Sequence, residues 1–223
     1  MSSYLVEGAT GSVMSLWPRS HPYLLINMLT VLRIHRVLGR SRRFVAYSIM
    51  LVLAGDREVR YMASENPMPK LVGSVLLCEA AGAIGSIYSY DGVRDWYPKL
   101  RKPTYTPPSW LFGPVWTLLY AMMGLSLCLA SQQRRKEDGG VWRASRLLFG
   151  TQLALNVLWS YVFFGRRAPG WALVEILFLW VAIAATIAAF FKISRSAALL
   201  LLPYLLWTGF AAILNHSIWR LNR

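Results

Sequence analysis

Residues 110–131 read WLFGPVWTLLYAMMGLSLCLAS, a run without a single Asp, Glu, Lys or Arg. As an α-helix this run rises about 33 Å, enough to cross a bilayer core roughly 30 Å thick. Four further runs accompany it. Leu71–Tyr90 carries one charge, Glu79, and Leu147–Phe164 carries none. Trp171–Phe191 carries only Glu175, and Ala197–Trp219 has no acid and no strong base. A backbone crossing lipid must satisfy its own hydrogen bonds, which at this run length means helix. The reading is therefore all-α: an integral membrane bundle of five transmembrane helices, over about 71–90, 110–131, 147–164, 171–191 and 197–219. Such a chain is multi-pass, in a cell membrane or an organellar outer membrane.

Composition agrees. Of 223 residues, 56% are hydrophobic and 15% charged, against roughly 25% charged in soluble domains. The formal net charge is nevertheless +14. In a soluble protein that excess points to nucleic acid. Here the basic residues sit between apolar runs, so they read as membrane flanks, with the bilayer and not nucleic acid as partner. Sixteen Lys and Arg fall on the side of the N-terminus and eight on the other, which places the N-terminus on the cytoplasmic side under the positive-inside rule.

Residues 1–61 differ from the rest. They hold eight Arg, no Lys, three acids and two apolar patches of about 11 residues, too short to span. They read as an N-terminal extension, disordered or outside the bundle, followed by a membrane domain over 62–223. An Arg-rich, acid-poor leader also has the character of an organellar transit peptide.

Within the first span, Ser74, Cys78, Gly82 and Ser86 recur every fourth position, and Ala81, Gly85 and Ser89 form a parallel row. Small residues at this spacing let helix backbones approach closely, inside a bundle or at a dimer face. Cys78 and Cys128 lie one per span and read as small apolar residues. His21, His35 and His216 are scattered, and no metal site is expected. The intramembrane carboxylates are candidates for function by default. Glu175, four residues from Trp171, reads as snorkelling to the interface, and Glu79 as a group inside the bundle.

Ten tryptophans separate into sets. Trp110, Trp142, Trp171 and Trp219 sit at span ends, where indoles anchor in the headgroup zone. Trp116, Trp159, Trp180 and Trp207 lie inside, and their N–H groups need partners. Helical spacing names the neighbours. Trp116, Tyr120 and Met123 share one face; Gln152, Asn156, Trp159 and Phe163 share another; Tyr204, Trp207, Ala211 and Asn215 share a third. Amides on such faces either bond neighbouring helices together or line an aromatic cavity with a few aimed polar groups. The connection before the second span, WYPKLRKPTYTPPSWLFGPVW at 96–116, carries five prolines. Proline fixes φ and excludes regular helix, so this loop is stiff, either a lid or a strap on the headgroups.

These residues carry a resemblance. Trp96-Tyr97, Lys102-Pro103, Pro107-Pro108, Trp110, Gly113-Pro114-Val115-Trp116 and Tyr120 are similar to the translocator protein or tryptophan-rich sensory protein (TspO/MBR) family, the peripheral-type benzodiazepine receptors. The match continues through QLALN at 152–156, Phe163-Phe164-Gly165, GWALVE at 170–175, Pro203-Tyr204-Leu205 with Trp207, and Leu214-Asn215 with Trp219-Arg220. The resemblance implies a five-helix bundle, often dimeric, whose pocket is capped by the first loop. It implies ligands such as protoporphyrin IX, haem, isoquinolines and benzodiazepines, and in animals cholesterol. Carried over position by position, Trp116, Tyr120, Asn156, Trp159, Trp207 and Ala211 would line the pocket. Three departures stand out: Tyr105 and Val157 where the family often has Trp, and His216 where the animal cholesterol motif has Tyr. The last argues against a sterol at that place.

The leading expectation is a receptor or carrier for planar apolar ligands, chiefly tetrapyrroles, with a sensory or regulatory role. No cofactor is required; porphyrin or haem enters as ligand. Asn156 and an indole N–H would orient a carbonyl or carboxylate, and Arg94, Lys99, Arg101 and Lys102 would attract propionates or anchor in headgroups. The alternatives are an enzyme degrading porphyrin with Trp116 and Trp207 as redox participants, or a transporter of sterols or other small molecules. No nucleophile or acid–base constellation supports catalysis.

Overall fold

The computed structural model describes residues 68–133 and 139–223, which belong to one compact unit. The extension over 1–61 falls outside the described residues. Helix α1 is Met68–Asp91, α2 Ser109–Gln133, α3 Gly139–Ser160, α4 Pro169–Phe191, α5 Arg195–Leu199 and α6 Leu202–Leu221, with no strand among the described residues. Five apolar segments are long enough to cross a membrane: 68–99, 109–133, 139–165, 169–191 and 195–221. The all-α, five-span reading holds.

Its boundaries move for identifiable reasons. The first span continues past residue 90 through a π-turn at Gly92–Trp96 and a 3₁₀ turn at Tyr97–Lys99. A second π-turn, Tyr161–Gly165, ends the third span. The two turns abut: a Cβ on Gly92 would lie 2.5 Å from the Phe164 carbonyl oxygen. Only glycine admits that approach. The third span also begins earlier than 147. Arg143 and Arg146 are exposed residues of α3, not loop residues, and Arg146 lies over the Trp142 ring at 6.0 Å. Its charged first turns conceal it from a search for apolar runs.

The fifth span is broken, which the apolar run at 197–219 conceals. Pro203, in the first turn of α6, has no N–H to continue a helix and its ring clashes with the preceding turn. The Leu201 amide bonds the Ala198 carbonyl at 3.1 Å, which frees the Ala197 carbonyl. Ser126 of α2 donates to that oxygen at 2.6 Å, and Ser194 caps α5 by accepting from the Ala197 amide. In lipid a freed carbonyl requires such a partner.

The helices pack as a closed ring, with α1 between α2 and α3, α4 between α3 and α6, and α5 between α4 and α2. The small-residue row of α1 faces its neighbours within the bundle. A Cβ on Gly82 would run into the Tyr120 ring, and one on Gly124 of α2 would meet the Val75 backbone at 2.5 Å. Cys78 and Cys128 are free and buried, as their small apolar reading requires.

Candidate functional site

Because α1 separates α2 from α3 and α4 separates α3 from α6, any bond from α3 to α2 or α6 crosses the interior of the ring. Several do. Tyr120 of α2 donates its hydroxyl to Asn156 Oδ1. Asn156 of α3 donates through Nδ2 to the Tyr204 hydroxyl of α6 at 2.9 Å. One level away, Trp159 donates its indole N–H to Asn215 Oδ1 at 3.1 Å, and Asn215 Nδ2 donates to the Pro169 carbonyl at the start of α4. These amides bond helix to helix.

Aromatic rings fill the space around this network. Trp116 lies 5.8 Å from the Tyr120 ring and 6.2 Å from Tyr204. Trp207 meets Phe112 edge-on at 6.0 Å and Phe210 at 5.6 Å. Trp159 stacks on Phe163 at 5.1 Å. Trp116, Trp159, Trp207 and Ala211 all pack half-buried against the core that contains Tyr120 and Tyr204. The structure therefore brings all six sequence-predicted residues, Trp116, Tyr120, Asn156, Trp159, Trp207 and Ala211, to one interior region. Between α2 and α6 the approach is chiefly through these rings.

Two expectations change. Asn156 spends its oxygen and one N–H on the two tyrosines, so one N–H remains to orient a bound group. Trp207, by contrast, has its Nε1 buried with no hydrogen-bond partner among the described residues. A buried donor left unmade is costly, which makes Trp207 the stronger polar anchor. Trp180, grouped with the interior tryptophans by its position in the run, is 40% exposed and looks outward. Trp110 and Trp171, at 70% and 75% exposed, lie on the outside as interface anchors should.

The proline loop is fastened as a cover. Arg101 donates its amide to Asn222 Oδ1 at 3.0 Å and accepts from Asn222 Nδ2 at 2.8 Å, so one side-chain amide closes both backbone groups. Tyr105, in the place of the family's frequent Trp, bonds Ser217 at 2.6 Å and meets Phe210 edge-on. Lys102 donates to the Pro98 and Leu100 carbonyls and lies over Tyr97 at 4.8 Å. Arg94 pairs with Asp95 at 2.8 Å and Asp91 at 3.7 Å. Of the four cations expected to attract propionates, Arg94 and Lys102 are thus already engaged locally, while Lys99 and Arg101 are exposed.

Sequence reasoning missed Phe112 and read Tyr204 and Glu175 only in part. Tyr204 was legible as part of a face, but its place at the junction of three helices needs the ring closed. Phe112 lies at the membrane entry of α2 and shows no spacing signal. Glu175 is buried, with both carboxyl oxygens unpartnered among the described residues. The snorkelling reading fails because α4 turns that position inward, away from the exposed Trp171 and Val174. Glu79 is half-buried on α1.

A ring of five lipid-spanning helices with an aromatic interior and a clasped loop defines a small multi-pass integral membrane protein. The comparisons name the family: the TspO/MBR family model matches residues 74–220, and the chain belongs to that family. It is 46% identical to the tryptophan-rich protein TspO of Archaeoglobus fulgidus over 155 residues, 69% of this chain and 97% of that one. It is 41% identical to the human translocator protein over 159 residues, covering 70% and 92%. The tryptophan-rich sensory protein of Cereibacter sphaeroides is 37% identical over 145 residues, covering 65% and 86%.

Proposed function

We propose that this chain is a membrane receptor or carrier for planar apolar ligands, tetrapyrroles such as protoporphyrin IX and haem foremost, with a sensory or regulatory role. The observation that carries the reading is the buried, unpartnered indole N–H of Trp207 on an aromatic wall shared by Phe112, Trp116 and Tyr204. Flat rings gain from edge and face contacts with such walls. An unpaired donor there gives a carbonyl or carboxylate a place to dock. The sensory and translocator names of the relatives fit this role.

The test is a titration of the full-length protein in detergent with protoporphyrin IX, following tryptophan fluorescence. Trp116→Phe and Trp207→Phe are expected to weaken binding about tenfold, through loss of ring contact and, for Trp207, of the N–H. Binding unchanged in both variants overturns the site. Illumination of the loaded protein separates binding from degradation. Porphyrin consumed faster by wild type than by Trp116→Phe would support the enzymatic alternative, and porphyrin left intact supports the receptor.

A further inference from the structure

Glu175 is the only ionisable side chain among the residues of α4. It is 9% exposed, and neither carboxyl oxygen meets a donor among the described residues. It does not cap its helix, because it lies beyond the first turn and the Ala172 amide is already taken by the Ala168 carbonyl.

Helix register locates it. A Cβ on Gly170 would lie 2.8 Å from Trp219 Nε1, and one on Gly209 would lie 3.3 Å from Trp180 Nε1. α4 and α6 thus run antiparallel and in contact over this stretch. Because Asn215 Nδ2 bonds the Pro169 carbonyl, Glu175, six residues further along α4, lies about 9 Å deeper in the bundle, between the levels of Asn215 and Trp207 on α6. The interior thus holds an unused carboxyl on α4 and an unused N–H donor on α6.

A bare carboxyl in a lipid-bound bundle costs more than any apolar residue in its place. We propose that Glu175 is a specificity residue of the interior site, its carboxyl hydrogen-bonding a ligand edge that carries N–H donors while Trp207 donates to an acceptor elsewhere on the same ligand. A carboxyl buried without a cation is neutral, one oxygen accepting and the O–H donating, which complements the adjacent N–H and C=O of a lactam. A closed porphyrin turns its N–H groups toward the ring centre and offers none at its rim. An open-chain tetrapyrrole presents pyrrole and lactam N–H groups along an edge. The ligand class favoured is therefore open-chain tetrapyrroles, a refinement that rests on the tetrapyrrole reading above.

The experiment titrates full-length wild type, Glu175→Gln and Glu175→Met with biliverdin and with protoporphyrin IX, which share propionates but differ in edge N–H groups. Thermal unfolding of each apo protein is measured alongside. Glu175→Met is expected to weaken biliverdin binding about tenfold while protoporphyrin binding stays within about twofold. Glu175→Gln, which keeps one acceptor oxygen, falls between. The apo Glu175→Met protein should melt no lower than wild type, because a group without partners has been removed. Equal biliverdin affinity in Glu175→Met and wild type overturns the proposal, as does a lowered apo melting point, which would mark Glu175 as a structural group. If wild type binds protoporphyrin but not biliverdin, the refinement falls and the tetrapyrrole reading stands. If it binds neither, both fall.

Discussion

Replacing Asn156 with Leu tests the crossing network directly. Leucine is close to asparagine in size, so the change removes polarity without opening a large cavity. Two interhelical hydrogen bonds disappear, one from the Tyr120 hydroxyl and one to the Tyr204 hydroxyl. Such bonds in membranes average about 0.6 kcal/mol and reach about 1.7, which gives about 1–3 kcal/mol for the pair. Both tyrosines are buried, so their hydroxyls are left without water, and the upper half of that range is expected. At roughly 2–4 °C per kcal/mol for a domain of this size, the melting temperature in detergent falls by about 3–10 °C. A double-mutant cycle isolates the cause. Tyr120→Phe should destabilise wild type but not the Asn156→Leu protein, where its hydroxyl has already lost its acceptor. An unchanged melting point for Asn156→Leu, or equal effects of Tyr120→Phe in both backgrounds, refutes the assignment of Asn156 as the link between α2 and α6.

Two further outcomes follow from packing and from the clasp. Gly124→Ala places a methyl 2.5 Å from the Val75 Cα, a backbone atom that no rotamer change can move; α1 and α2 must separate, at a cost of about 1–3 kcal/mol measured by thermal unfolding. Serine at Gly73, where a Cβ meets nothing, serves as the tolerated control. Asn222→Ala removes both bonds that hold Arg101. Hydrogen exchange should then accelerate in residues 100–106, with the amides of α3 and α4 unaffected. Unchanged exchange in the loop would mean that Tyr105 and the prolines hold the cover without Asn222.

Much of the architecture was present in single runs of residues. An uncharged stretch such as 110–131 has one solution in lipid, and five of them in succession leave a helical bundle. The faces carrying Trp116 with Tyr120, Asn156 with Trp159, and Trp207 with Ala211 follow from the helical period alone. That is why the six candidate residues could be named before any packing was known.

Which face meets which was beyond those rules, because periodicity describes a helix in isolation. Trp180 and Trp207 look alike in sequence, each a tryptophan deep in an apolar run. Trp207 turns inward with an unpaired N–H while Trp180 looks out. Glu175 is four residues from an exposed tryptophan, yet α4 carries it inside. The break at Pro203 is legible, but its repair by Ser126 joins residues far apart in the chain. Local chemistry decided that five helices form and which stripe of each is aromatic. Only closure of the ring decided that Tyr120, Asn156 and Tyr204 meet across its centre, because that meeting depends on the helices standing between them.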